Sequence, residues 1–203
     1  MASGVIIKTI SAPATTVTGL FTDKRQLVDT DSTLLNVSTL DKLGTLIKTI
    51  SLTPLASFYV TSDGFRYYMT RSGSNNILVV TKEGVILRQI NVAGNQFRGI
   101  TTDGRYLWAI DSVSNSLVQI NKSGVVIQKI AIPGNIFNGI VFNGKDFFGA
   151  TSLTSRGLAL MNKMAVEIEN FIATGIVHLG LAYDRKNIYG KQNASLNINQ
   201  IAI

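Results

Sequence analysis

A period of 40 residues constrains this chain more than any other feature. Gly4, Gly44, Gly84 and Gly124 stand 40 apart, and each opens a similar string: Gly4-Val-Ile-Ile-Lys-Thr-Ile10, Gly44-Thr-Leu-Ile-Lys-Thr-Ile50, Gly84-Val-Ile-Leu-Arg-Gln-Ile90 and Gly124-Val-Val-Ile-Gln-Lys-Ile130. A fifth copy, Ala165-Val-Glu-Ile-Glu-Asn-Phe171, follows after one inserted residue. A second marker keeps the same beat at Asp23, Asp63, Asp103, Asn143 and Asp184, in contexts such as Thr102-Asp103-Gly104 and Phe142-Asn143-Gly144. Asp-Gly and Asn-Gly pairs signal tight hairpins, because the primed turns need positive φ. Five units are therefore present, and a unit of this size buries its apolar face only against its neighbours.

Within one unit, turn residues separate four short runs rich in β-branched and aromatic side chains: Gly99–Thr102, Tyr106–Ile110, Leu117–Ile120 and Val125–Ile130. No stretch of ten or more residues keeps a helical period. Four strands per unit at a period near 40 predict an all-β, five-bladed β-propeller of four-stranded antiparallel blades. The expected organisation is one propeller over 1–203, with blades at about 17–50, 57–90, 97–130, 137–171 and 178–203. After residue 184 the last unit has a second strand near Asn187–Lys191 and a third near Leu196–Ile201 but no fourth, whereas residues 4–10 copy an outer strand without the three that should precede it. The N-terminal strand is thus expected to pair with the C-terminal blade and close the ring, since an open propeller would expose two sheet edges.

Composition narrows the chemistry. The chain has 203 residues and no cysteine, which excludes disulfide scaffolds, thiolate metal sites and cysteine nucleophiles, and its one histidine cannot supply a multi-histidine metal site. The first apolar run, Val5-Ile6-Ile7, ends at Lys8 and is too short for a signal-peptide core or a membrane span, so a cytoplasmic or virion-associated place is expected, without membrane insertion. Nineteen basic against twelve acidic residues give +7. Residues 1–100 hold ten Lys/Arg and six Asp/Glu and residues 101–203 hold nine and six, so neither half is a basic arm and no specific nucleic-acid partner is expected.

Repeated positions read first as architecture. The glycines opening the outer strands and the turn Asp/Asn are explained by hairpin geometry. Lys8, Lys48 and Arg88 fall at matching outer-strand positions. A basic girdle is one reading of them, and protection of an edge strand is the favoured one. Gly19, Gly99, Gly139 and Gly180 precede the apolar residue of each inner strand, where strands crowd at the axis. Tyr59 is the odd member and is expected to project into the channel that its counterparts leave empty.

Function is expected on one face, in the loops joining second to third strands and in the crossings between blades. The candidate ligand-binding residues there are Asp31, Phe58, Arg71, Arg98, Asp111, Asn138, His178 and Gln192. The crossings Gly94-Asn-Gln-Phe-Arg-Gly-Ile100 and Gly134-Asn-Ile-Phe-Asn-Gly-Ile140 repeat one pattern. Phe97 and Phe137 are expected to pack between blades rather than serve as stacking platforms, which leaves Arg98 and Asn138 for the open face. His178 takes the same slot in the fifth unit and reads more readily as a hydrogen-bonded core residue than as a base. Glu167 and Glu169 alternate on an outer strand, far from the axis, and read as a solvated face.

The stretch Gly99-Ile-Thr-Thr-Asp-Gly-Arg-Tyr-Leu-Trp-Ala-Ile-Asp111, followed by Asn115-Ser-Leu-Val-Gln-Ile-Asn121, resembles repeats of the YVTN and NHL-like β-propeller superfamily. In size the chain is closer to small five-bladed lectin propellers, although no lectin repeat motif is matched. The resemblance implies a fold rather than an activity. Some similar propellers are metal-dependent lactonases or lyases, and on that analogy Asp31, Asp111 and Asn138 are the nearest approach to a ligand set for a hard cation. The leading expectation is a non-enzymatic recognition or structural module without a cofactor, with no catalytic residue and no metal. Its open face would bind a glycan, a cell surface or a protein partner, as in a virion surface, spike or tail component or a subunit of a larger assembly.

Overall fold

The structure is a computed structural model describing residues 5–12, 17–23, 25–52, 59–71, 73–132, 137–151, 157–171, 178–192 and 197–203. Among them every helix or strand is a strand, and these form five four-stranded antiparallel sheets. The chain begins with β1 (Val5–Ser11). Blade 1 follows as β2 (Val17–Asp23), β3 (Gln26–Asp31), β4 (Asn36–Leu40) and β5 (Leu46–Ser51). Blade 2 comprises β6 (Tyr59–Ser62), β7 (Arg66–Thr70), β8 (Asn76–Thr81) and β9 (Ile86–Asn91). Blade 3 comprises β10 (Phe97–Thr102), β11 (Leu107–Asp111), β12 (Ser116–Ile120) and β13 (Val126–Ala131). Blade 4 is β14 (Phe137–Phe142), β15 (Phe147–Thr151), β16 (Leu158–Met161) and β17 (Glu167–Phe171). Blade 5 has β18 (His178–Tyr183), β19 (Asn187–Gln192) and β20 (Asn197–Ala202), and its fourth strand is β1.

Ring closure is antiparallel pairing of β1 with β20, from Val5 opposite Ala202 to Ser11 opposite Asn197. Ile10 and Ala12 are then buried with Leu20, Leu27 and Leu40 of blade 1 and Ala182, Tyr189 and Ile198 of blade 5. The core lies in the clefts between blades rather than within any one sheet. Phe97 sits between blades 2 and 3 and Phe137 between blades 3 and 4, both completely enclosed.

At the axis the inner strands approach until a side chain has no room. A Cβ on Gly99 would lie 2.8 Å from backbone atoms of Asn138, Gly139 and Ile140, and one on Gly139 would lie 2.4 Å from the Leu179 carbonyl oxygen. Gly99→Ala is accordingly expected to cost about 1–3 kcal/mol by forcing two inner strands apart. Urea unfolding that leaves its midpoint unchanged would refute this packing argument.

Charged residues stitch the blades together, which the hairpin reading did not anticipate. Lys82 reaches back to Asp23 at 2.6 Å and Lys122 to Asp63 at 3.0 Å, and Lys42 pairs with Asp184 in the same way. The aspartates are also held from their own blade, where Tyr68 donates to Asp63 at 2.9 Å and Tyr189 to Asp184 at 3.0 Å. Burial raises the Asp63 pKa, but the Lys122 ammonium, the Arg66 and Phe65 amides and the Tyr68 hydroxyl outweigh it and hold the carboxyl at about 2. Each such half-exposed pair contributes about 0.2–1 kcal/mol.

Lys8, Lys48 and Arg88 donate across the seam to the carbonyls of Lys42, Lys82 and Lys122 at 3.2, 3.3 and 2.6 Å. They therefore tie blades together, because the next blade's turn lies within reach of a long side chain. The outer strands meanwhile turn apolar residues such as Ile7, Ile47, Leu87, Ile127 and Ile168 to solvent, each about half exposed.

Candidate functional site

The expected face is built by the second-to-third-strand loops and the crossings. Its best-defined feature is a cavity of about 520 Å³ between blades 2 and 3, lined by Arg71, Gly73, Ser74, Asn75, Gly94, Asn95 and Gln96. One wall is the loop after β7, where the Ser74 amide donates to the Arg71 carbonyl at 3.0 Å. The other is the crossing into β10, fastened to that loop by the Phe97 amide on the Ser74 carbonyl at 2.9 Å. Behind it the Asp111 carboxylate accepts from the Gln96 amide at 2.9 Å, the Val113 amide at 3.1 Å, the Ser114 hydroxyl at 2.6 Å and the Lys129 ammonium at 2.6 Å. Lys129 also donates to the Asn95 side-chain oxygen at 3.1 Å. Burial raises the Asp111 pKa, but the Gln96 amide, Lys129, Ser114 and the Val113 amide together lower it below the ordinary carboxylate value. A charged strut, its Asp111 end enclosed and its Lys129 end open to solvent, thus holds a wall of amides and hydroxyls in one geometry.

The candidate residues divide by exposure. Arg71 is exposed on the cavity wall. Arg98 is half-buried and donates to the Asn138 side-chain oxygen at 3.1 Å, joining blades 3 and 4 beside the axis. Gln192 is half-buried at the end of β19, paired in register with His178. Asp31 and Asp111 are enclosed and serve as loop anchors, Asp31 accepting the Thr33 and Leu34 amides at 2.7 and 2.8 Å. His178 is enclosed against Gly190, where a Cβ would lie 2.3 Å from its ring, and its Nε2 lies 3.4 Å from the Asn199 amide nitrogen. Burial lowers its pKa to about 4. Phe58 lies outside the described residues.

These positions do not compose a site for a hard cation. The Asp111 oxygens are occupied by four donors of the chain itself, one of them an ammonium. Among the described residues no group of three or more His, Cys, Asp or Glu side chains could hold a metal ion.

Tyr59 borders the narrow axial space together with Leu20, Val60, Gly99, Ile100, Gly139, Ile140, Gly180 and Leu181 and is buried in the cluster between blades 2 and 3 with Tyr68, Phe97 and Leu107. Its hydroxyl is pushed up to about 12 by burial, against the opposing pull of Arg98. Two further features escaped the sequence. At the closing seam Asp29, Asp31 and Lys191 are buried together, with Lys191 on blade 5 facing blade 1. The face opposite the expected one opens into an axial cup of about 550 Å³ walled by all five blades. The sequence signal that could have revealed the cup is a basic residue in or directly after every first-to-second-strand turn: Arg25, Arg66, Arg105, Lys145 and Arg185.

No protein-family model matches the sequence, and no curated protein matches it. Solved structures do resemble it. Glutaminyl cyclase from Myxococcus xanthus superimposes with a TM-score of 0.82 at 12% identity over 98% of this chain and 95% of that one. Virginiamycin B lyase from Staphylococcus aureus gives 0.58 at 17% identity over 94% and 67%, and a chain of a nidogen/laminin complex gives 0.61 at 18% over 89% and 73%. At such identities the likeness concerns the path of the backbone, and function is carried by sites rather than by folds. The chain is a five-bladed β-propeller, and it shares its architecture with proteins that include enzymes and a member of a protein–protein complex.

Proposed function

We propose that this propeller is a non-enzymatic recognition module whose face beside blades 2 and 3 binds a hydroxyl-rich ligand, a glycan or a glycosylated surface. The observation that supports this reading is the polar cavity of about 520 Å³, with Arg71, Ser74, Asn75, Asn95 and Gln96 on its wall. Its volume lies within the range of ligand pockets, about 300–1,000 Å³. Amides offer both donors and acceptors, which match the dual character of sugar hydroxyls. The strut from Lys129 and Asp111 fixes Asn95 and the Gln96 backbone, so little ordering entropy is lost on binding.

A glycan array read with the native chain and with Asn75→Ala and Arg71→Ala tests the reading. Hits that both substitutions weaken by about tenfold, a loss of about 1.4 kcal/mol, support it. An array without hits, combined with recovery of one stoichiometric protein partner from a lysate, overturns it in favour of an assembly subunit. The nidogen/laminin likeness lends that second reading its interest, since the matched chain comes from a protein complex.

A further inference from the structure

We infer that the axial cup on the opposite face is a binding site for an acidic saccharide, a sugar chain carrying sulfate or carboxylate groups. The cup is walled by Phe21, Thr22 and Arg25 from blade 1, Thr61 and Ser62 from blade 2, Thr101 and Thr102 from blade 3, Val141 and Phe142 from blade 4, and Tyr183, Asp184 and Arg185 from blade 5. It is distinct from the cavity beside Arg71, and the two share no lining residue.

Three independent observations point to a ligand. The first is charge. The acidic groups of this face are consumed internally: Asp23 by Lys82, Asp63 by Lys122, Asp184 by Lys42, Asp146 by Lys145 at 3.9 Å, and Asp103 by the Arg105 and Tyr106 amides and the Trp108 ring nitrogen. Arg25 and Arg185 on the cup wall form no ion pair or side-chain hydrogen bond among the described residues, and Arg66, Arg105 and Lys186, in or beside the corresponding turns of blades 2, 3 and 5, are exposed. A cleft lined by uncompensated charge of one sign concentrates the opposite ion, and a guanidinium grips a sulfate or carboxylate with two parallel hydrogen bonds.

The second is an orphaned polar atom. The Thr61 hydroxyl lines the cup, is 1% exposed, and has no hydrogen-bond partner among the described residues. Its neighbours are satisfied, with Thr22 donating to the Tyr183 carbonyl at 2.5 Å, Thr101 accepting the Phe142 amide at 3.1 Å and Ser62 accepting the Gly64 amide at 3.0 Å. A buried hydroxyl without a partner costs free energy that a ligand hydroxyl would recover.

The third is backbone strain. Gly64, Gly104 and Gly144 occupy one turn position with φ of 95°, 90° and 102°, whereas the fifth unit places Arg185 there with φ of 75°. A long side chain in the left-handed region is unfavourable where three of the sibling units use glycine. The fifth unit therefore holds an arginine on the cup wall at a cost in stability. The half-buried Phe21, Phe142 and Tyr183 add ring faces, so the cup combines apolar, hydroxyl and cationic surface as an acidic sugar requires, which a bare inorganic anion would not.

Calorimetry with a heparin-derived tetrasaccharide, an oligogalacturonate and neutral maltotetraose tests the site and separates sulfate from carboxylate sources. At least one acidic saccharide is expected to bind and to weaken with salt, with maltotetraose at least about tenfold weaker. Arg185→Gly is expected to lower affinity about tenfold while the melting temperature holds or rises, because glycine relieves the positive φ. Arg25→Gln is expected to lower affinity similarly. The assignment is overturned if neither acidic saccharide binds, if Arg185→Gly binds as tightly as the native chain, or if inorganic sulfate competes as well as the saccharide. An oligothymidylate that binds more tightly than either saccharide overturns it in favour of nucleic acid. Asn75→Ala and Arg71→Ala report on the other cavity, so failure of either proposal is read separately.

Discussion

Deleting residues 5–11 is expected to abolish cooperative folding rather than trim an end. The deletion strips β20 of its partner along the whole register from Val5–Ala202 to Ser11–Asn197. It also removes Ile10, which is 1% exposed, from the seam with blade 1. Loss of a buried isoleucine alone costs about 2–5 kcal/mol. Adding a lost ladder and a newly exposed edge brings the total to the order of the whole stability of a domain, about 5–15 kcal/mol. The expected result is a chain that aggregates or melts without a sharp transition, and that regains a transition when a peptide of residues 5–11 is supplied in excess. A truncated chain with the native melting temperature would show that the β1–β20 pairing contributes nothing to stability.

Lys191→Met is expected to be the most damaging single change at the seam, and its cost should depend on pH. Asp29, Asp31 and Lys191 are all nearly or fully enclosed. Burial pushes the Asp29 carboxyl up to about 7, with Lys191 pulling it down, Asp31 pushing it up and the Ser38 amide lowering it without reaching hydrogen-bond geometry. Burial likewise lowers Lys191 to about 8, opposed by the two carboxylates. A carboxyl raised in the folded state favours folding while it is protonated, and that advantage is lost as pH rises from about 4 to about 7. Lys191 limits this loss by stabilising the ionised form. Without it, two buried carboxylates face each other, a situation that costs about 3–5 kcal/mol. At pH 7.5 the variant is therefore expected to melt about 6–20 °C below the native chain. At pH 5 Asp29 is protonated in both chains and the gap should narrow markedly. Thermal unfolding at the two pH values decides the matter, and an equal loss at both would refute the coupling. Asp29→Asn in the Lys191→Met background should restore much of the loss at pH 7.5.

His178 titrates in the opposite sense. Its folded value of about 4 lies below the usual 6.5 because burial disfavours the imidazolium. Its contribution to stability is thus complete above about 6.5 and is lost as pH falls towards 4. Between those limits it opposes the Asp29 effect, so the native chain is expected to show a flatter acid profile than either group alone would produce.

Much of the fold was legible in the residues because a repeat carries its own register. The 40-residue beat of Gly44, Gly84 and Gly124 marks the entry to the outer strands at positive φ, and Asp23, Asp63, Asp103, Asn143 and Asp184 mark the first turns. Counting those markers yields five blades and an outer strand to spare at the N-terminus. The seam contacts were not legible. Lys82 and Asp23 lie 59 residues apart, as do Lys122 and Asp63, and each residue alone reads as an ordinary surface charge. Likewise Val5, Ile7, Leu46 and Ile47 are apolar yet face solvent, because an outermost strand has one face with no neighbour to cover it.

The candidate sites show the same division. Local sequence determined the loops, and it placed Arg71 on one open face. It indicated a core place for His178, but it could not tell that Asp111 is a strut for the neighbouring crossing or that the His178 ring lies against Gly190, since both depend on what lies opposite. Spacing and turn chemistry are properties of consecutive residues, so the sequence by itself determined the blade, the number of blades and the means of closing them. Which side chains meet between blades, which carboxylates are neutralised and where cavities open depend on the angle at which five sheets converge on one axis. That angle is set by the summed packing of distant residues, and only the tertiary structure decides it.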